Sequence, residues 1–145
     1  MMTLRTATPD DEAWINERYA RVHFIPSDFS RETVVVAELD GAPAGMGRLV
    51  PAGAGAFELG GMYVFDEHRG RGIARKIVDE LIRIAGNHDV YCIPFADLTA
   101  LYASAGFAPA DPANATSHVR EKLDWCRREH ERPVVLLKLK RAANA

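Results

Sequence analysis

The stretch Glu67–Ala85, EHRGRGIARKIVDELIRIA, sets two glycines and three arginines ahead of and into a helical hydrophobic repeat. From Ile73 the apolar residues recur at Ile77, Leu81 and Ile84, joined by Ala74, Val78 and Ala85. That spacing predicts an amphipathic helix, ended by Gly86 and Asn87. The first N–H groups of such a helix have no intrahelical partners, and the helix dipole adds positive potential there. Gly70 and Gly72 carry no side chains, so an anion can lie close against those amides. Arg69, Arg71, Arg75 and Lys76 add charge around that position. The turn is therefore expected to cradle a phosphate-bearing ligand.

The residues on either side predict a mixed α/β order. Thr3–Thr8 alternates as a short strand, and residues 9–24 begin as a helix. Thr8 is placed to cap it, Pro9 suits the first turn, and Asp10, Asp11 and Glu12 suit the positive end of the dipole. Residues 24–30 break that pattern as a loop. Thr33–Leu39 and Ala44–Val50 flank an Asp40-Gly41 turn and read as a hairpin. After a turn at Pro51–Ala56, Phe57–Phe65 reads as a strand in which Gly60 and Gly61 mark a bulge. Beyond the amphipathic helix come a strand at Asp89–Pro94, a helix at Phe95–Phe107 ending at Gly106, and a short extended piece. A helix at His118–His130 has Val119, Leu123, Cys126 and His130 on one stripe, and Val134–Lys140 forms the closing strand. The order β-α-β-β-β-α-β-α-β-α-β implies one α/β domain spanning residues 1–145.

Several function classes drop out. A formal net charge of −2 gives no argument for a nucleic-acid or membrane partner. Cys92 and Cys126 fit neither a disulfide framework nor a metal spacing, and Cys92 reads as core rather than nucleophile. His23, His68, His88, His118 and His130 show no metal spacing, and His118 and His130 read as surface residues, so no metal is expected. The N-terminal MMTLRTATPDDEAW lacks the apolar centre of a signal peptide, and no apolar run reaches the roughly 20 residues of a membrane span. A cytoplasmic location is expected.

The glycine-rich turn itself discriminates between phosphate binders. The dinucleotide pattern G-x-G-x-x-G fails because its third glycine position is Arg75, and G-x-x-x-x-G-K-[ST] is absent. The pattern [Q/R]-x-x-G-x-[G/A] is met by Arg69, Gly72 and Ala74. It resembles the signature of the GNAT superfamily of acyl-CoA-dependent N-acyltransferases. The element order from Thr3 to Phe107 is also that of the family, and Leu101–Phe107, LYASAGF, resembles the Tyr-x-x-x-Gly-Phe end of its last core helix.

The resemblance implies a mixed, mostly antiparallel central sheet with flanking helices, here with an extra helix before the last strand. It implies acetyl-CoA as co-substrate. Amides of Arg69, Gly70, Arg71, Gly72, Ile73, Ala74 and Arg75 would cradle its pyrophosphate, and Met62, Tyr63 and Val64 would pair with its pantetheine arm. The bulge at Gly60–Gly61 would splay the fourth strand from the fifth to admit that arm. Tyr102 stands where the family carries the tyrosine that protonates departing coenzyme A. Glu58 lies eleven residues before Arg69, the offset of the catalytic glutamate in histone-acetylating members, and is the expected base. By strand parity it is expected to share a face with Gly60, Met62 and Val64. The chain departs from the family at Phe95, where many members carry an asparagine.

The acceptor is expected beneath the loop His23–Ser30, with Phe24, Ile25 and Phe29 as apolar walls and Asp28 available to an ammonium. The helix His118–His130, with Trp125, reads either as a pocket wall or as a subunit contact. The expected activity is direct transfer of an acetyl group from acetyl-CoA to a primary amine of a small or amino-acid-like acceptor in a ternary complex. A non-catalytic acyl-CoA-binding module and a peptide or protein N-acetyltransferase stay open beside it. The long apolar closing strand permits a homodimer.

Overall fold

The computed structural model describes residues 1–140. Its organising hairpin joins β2 (Thr33–Leu39), with its β-branched run Thr33–Val36, to β3 (Ala42–Pro51). Asp40 and Gly41 take φ of 50° and 86°, the left-handed pair that a tight hairpin turn requires. β1 (Met2–Thr6) adds antiparallel to β2, and β4 (Phe57–Val64) adds antiparallel to β3. The glycine-rich turn then leads into α2 (Ile73–Ala85), which returns the chain as β5 (Val90–Cys92), parallel to β4. α3 (Thr99–Ser104), β6 (Phe107–Pro109), α4 (Ser117–Glu129) and β7 (Leu137–Leu139) complete the described chain, and α1 (Glu12–Arg21) joins β1 to β2. The sheet runs β1-β2-β3-β4-β5-β7-β6, antiparallel throughout except at β4–β5.

The two faces of the sheet carry different layers. On one, Ile73, Ile77, Val78, Leu81 and Ala85 of α2 and Tyr102 of α3 pack on Val35, Leu49, Leu59 and Cys92. Burying Ile77 and Leu81 completely is worth about 1.5–3 kcal/mol each. On the other, Ile15 and Tyr19 of α1 pack on Val34, Val36 and Met46, while Val119, Leu123 and Cys126 of α4 pack on Tyr91 and Leu136. Thr116 caps α4 by accepting the Val119 N–H, and its own hydroxyl donates to the Ala52 carbonyl. α1 opens from a 3-10 turn at Pro9–Asp11, where the Thr8 N–H donates to the Asp11 carboxylate.

Several boundaries differ from the sequence reading. The helix expected at Phe95–Phe107 begins only at Thr99, because Phe95 is extended and bridges to Val134, with a 3-10 turn at Ala96–Leu98 between. The Ala96 N–H goes to the Pro133 carbonyl and the Val135 N–H to Pro94, which holds this segment as ribbon. β7 is accordingly shorter than Val134–Lys140, and it lies between β5 and β6. β7 is thus paired along both edges within the sheet. Among the described residues no helix is long and apolar enough to cross a membrane.

Candidate active site

β4 and β5 pair only from Phe57 to Leu59, against Val90 to Cys92. The next residue of β4 starts the bulge that the paired glycines announced. Arg48 opposes Gly60 while Met46 opposes Tyr63, so β4 carries one more residue than β3 over this step. Gly61 has φ of 58°, and a Cβ there would fall 2.7 Å from both Arg48 Nε and Tyr19 Oη. Beyond the bulge a cavity of about 640 Å³ opens, lined by Gly60–Val64 on one side and by Cys92, Ile93, Pro94 and Phe95 on the other.

The additional residue overturns the expected parity. A Cβ on Gly60 would meet Glu58 Oε2 at 3.0 Å, and one on Gly61 would meet Arg48, so both glycines turn to the face of α1 and α4. Met62 and Val64 pack on the opposite face with Ile77 and Leu81, because the bulge shifts the alternation by one. Glu58 therefore does not share a face with Met62 and Val64. It stands across the sheet from them, at the same opening.

The Phe65 N–H is taken by the Ala44 carbonyl on β3. By the alternation of a strand, Met62 and Val64 turn their backbone groups the other way, toward the opening. Tyr63 turns its own toward Met46 and lines the cavity. Arg69 Nε reaches the Val64 carbonyl at 3.4 Å and its guanidinium pairs with Asp66 at 3.0 Å, at the mouth of the cavity.

Below the mouth, Gly70 and Gly72 adopt φ of 80° and 75°, and a Cβ on either would meet nothing within 4 Å. Their conformation, not crowding, demands glycine. α2 starts at Ile73 with no side-chain cap and no acidic residue in its first turn, so its opening amides stay available to an anion. Among the described residues neither Arg71 nor Lys76 forms an ion pair, whereas Arg75 is turned to Asp79 at 2.9 Å and Ser104 at 3.0 Å. Arg75 thus ties α2 to α3, and the charge at the cradle comes from Arg69, Arg71 and Lys76. Gly70, Arg71, Gly72, Ile73, Ala74 and Arg75 lie outside the cavity lining, along the approach to it. Bare amides, open glycines and flanking cations fit a pyrophosphate.

Tyr102 lines the cavity from α3 and is 4 % exposed. Burial, with Cys92 beside it, pushes its phenol well above the ordinary value, so it is protonated throughout the neutral range. Among the described residues its hydroxyl makes no hydrogen bond. Cys92, in the same core cluster, is likewise pushed up by burial and is no nucleophile.

From the other face the cavity is lined by Glu58, Arg48 and Lys122, with Phe24 and Ile25 from the loop after α1 and Trp125 from α4. Glu58 is 6 % exposed, and its Oε1 accepts no hydrogen bond among the described residues; Lys122 Nζ stands 3.8 Å away. α4 is a pocket wall. His130 is half-buried between Phe95 and Trp125, at ring separations of 5.3 Å and 6.0 Å, and is not the free surface residue expected. Phe29 packs on the α1 core, and Asp28 folds back on Ser30 in an exposed turn, so neither reaches the cavity. Arg48 and Lys122 were not legible as site residues. The available signal was an arginine inside an otherwise apolar strand, a residue that is rarely buried without a partner.

A model of the acetyltransferase (GNAT) family matches residues 2–107. No curated protein matches the sequence. Among solved structures, Rv2747 from Mycobacterium tuberculosis, in complex with CoA, superposes with a TM-score of 0.77 at 20 % identity, over 97 % of this chain and 99 % of that one. A GNAT family acetyltransferase from Elizabethkingia anophelis with acetyl-CoA bound gives 0.67 at 14 % identity, over 97 % and 98 %. N-acetylglutamate synthase from Neisseria gonorrhoeae, complexed with coenzyme A and L-arginine, gives 0.74 at 15 % identity. The match covers 96 % of this chain and 33 % of the synthase, so the chain spans about a third of that protein's length. These likenesses establish the fold.

Proposed function

The chain belongs to the acetyltransferase (GNAT) family, whose members take an acetyl group from acetyl-CoA, and we propose that it transfers that group to a primary amine of a small or amino-acid-like acceptor. The transfer is direct, within a ternary complex. One observation carries the reading: a single cavity passes through the splay of β4 and β5 and joins Tyr102 on one face of the sheet to Glu58 on the other. Structural neighbours that hold CoA or acetyl-CoA support it.

Acetyl-CoA, when bound, supplies an activated thioester. The amides from Arg69 to Arg75 receive its pyrophosphate, and the outward backbone of Met62 and Val64, with Tyr63 beside them, receives its pantetheine amides. An amine of lysine type has a pKa of about 10.4 and enters mostly as ammonium. Glu58 takes a proton from that nitrogen, which then attacks the acyl carbon. The oxygen that gains charge is met by a strand amide at the bulge. As the carbon–sulfur bond breaks, the Tyr102 hydroxyl donates its proton to sulfur, the acylated nitrogen gives up its second proton to the resulting phenolate, and Glu58 releases the proton it took to solvent. The products are the N-acetylated amine and free coenzyme A.

The test is release of free thiol from acetyl-CoA in the presence of a panel of free amines and short peptides. Release that depends on a free amine supports the reading. Release with peptides alone would replace it by peptide acetylation, and silence with every amine, despite bound coenzyme, would leave a binding module.

A further inference from the structure

Arg48 is, with Glu58, one of the buried charged residues left with a polar atom unpartnered among the described residues. It is 6 % exposed on the central strand β3, yet among the described residues its guanidinium donates no hydrogen bond. A guanidinium carries several N–H donors, and a buried one without acceptors is costly. Its one ion pair is loose: Glu32 Oε1 stands 3.7 Å away and is already held by the Ser27 hydroxyl at 2.6 Å. Its Cζ lies over the Tyr19 ring at 4.6 Å, and the Tyr19 hydroxyl is fixed by donating to the Gly61 carbonyl at 2.8 Å. These contacts leave its N–H donors without an acceptor, on a residue that lines the cavity. A planar fork of N–H donors matches a carboxylate.

Glu58 lies next to it. Arg48 Nε sits over Gly61 and Glu58 Oε2 sits over Gly60, so a cation and an anion stand above consecutive residues of one strand. An α-amino acid likewise carries its cation and its anion on one short backbone unit. Each of the two has one loosely placed opposite charge, Glu32 at 3.7 Å from Arg48 and Lys122 at 3.8 Å from Glu58. A zwitterion offers a partner to both.

We propose that Arg48 is the carboxylate-binding residue of the acceptor site, and that the acceptor is an α-amino acid whose nitrogen faces Glu58 while its carboxylate faces Arg48. This rests on the transferase reading and narrows its substrate class. The bare glycines at Gly60 and Gly61 are the floor on which both charged groups lie, which is why a side chain at either position would displace them.

The experiment compares the proteinogenic amino acids with their α-carboxamides, which keep the amine and the side chain but lose the anion. Thiol release from acetyl-CoA gives kcat/KM for each pair, and calorimetry follows acetyl-CoA binding separately. The best amino acid should exceed its amide by at least ~100-fold. In Arg48→Lys, which keeps the charge and loses the fork, the ratio should fall, and in Arg48→Met it should approach unity; thermal melting establishes that each variant is folded. Equal rates for acids and amides, or preference for aminoalkylphosphonates over carboxylates, would overturn the assignment while leaving the transferase reading intact. If acetyl-CoA binds and no amine reacts, amino acids are titrated onto the coenzyme A complex, and absence of Arg48-dependent heat overturns it. Failure of acetyl-CoA to bind removes the transferase reading and this inference together.

Discussion

Asp11 and Glu58 are both carboxylates sunk into the fold, 8 % and 6 % exposed, and they are treated in opposite ways. Asp11 accepts from Arg5 Nη1 and Nη2 at 2.7 and 2.8 Å, from the Thr8 N–H at 2.8 Å and from Trp14 Nε1 at 2.9 Å. The Arg5 hydrogen bonds, then those from Thr8 and Trp14, hold its carboxyl well below the usual carboxylate range against the opposing effect of burial. Glu58 keeps an oxygen without a hydrogen bond and a lysine at 3.8 Å. The arginines nearby repeat the contrast: Arg5 donates to Asp11 and Glu38, and Arg48 donates to nothing among the described residues. A saturated buried ion joins elements and has no capacity left for a substrate. An unsaturated one is stable only because the surrounding packing carries it, and its open lone pair or donor is the group a substrate can use.

The contrast is sharpened most by Glu58→Gln. Removing the base should lower kcat by roughly 10²–10⁴-fold, with a melting temperature close to that of the parent. The converse is Asp11→Ala, which strands Arg5, the Thr8 N–H and Trp14 Nε1. It should destabilise the fold by about 3 kcal/mol in denaturant unfolding and leave turnover per folded molecule unchanged. Loss of transfer with no loss of stability in that variant would exchange the roles of the two carboxylates.

The pH dependence has a definite sign. Because the Asp11 pKa is lower in the folded than in the unfolded chain, its stabilisation is fully present above about pH 4 and is lost as pH falls toward the folded value. Asp11→Ala should therefore show a flatter acid limb in a plot of stability against pH. Tyr102→Phe should lower kcat by about 10²-fold, with the KM for acetyl-CoA little changed, since the ring packing on Phe107 survives. The smallest effect is expected from Gly72→Ala. A Cβ there meets no atom, so only the left-handed φ of 75° is penalised, by about 1 kcal/mol, read as a modest fall in melting temperature and in acetyl-CoA affinity.

The glycine turn into α2 was legible in the sequence because its physics is local. Gly70, Gly72 and the repeat from Ile73 state a left-handed turn into a helix without reference to anything distant. Tyr102 and Glu58 were reached by resemblance, and both line the same cavity. What escaped was set by long-range pairing. Gly60–Gly61 announced a bulge, but which face Met62 would take depended on the register against Met46 and Arg48, 14 or more residues earlier in the chain. Arg48 reads in isolation as a polar interruption of an apolar strand, and only the placement of Gly61, Tyr19 and Glu32 around it makes it a site residue. Phe95 likewise appeared helical until its bridge to Val134 made it ribbon.

The most direct test of the whole scheme is a calorimetric titration of the protein with acetyl-CoA, with NADH and ATP alongside and Arg71→Glu in parallel. Saturable binding of acetyl-CoA alone, weakened about tenfold or more in the variant, is the expected result. No binding, or equal affinity in the two proteins, would mean that the turn at Arg69–Arg75 is an ordinary basic helix start and that the splay of β4 and β5 serves something else.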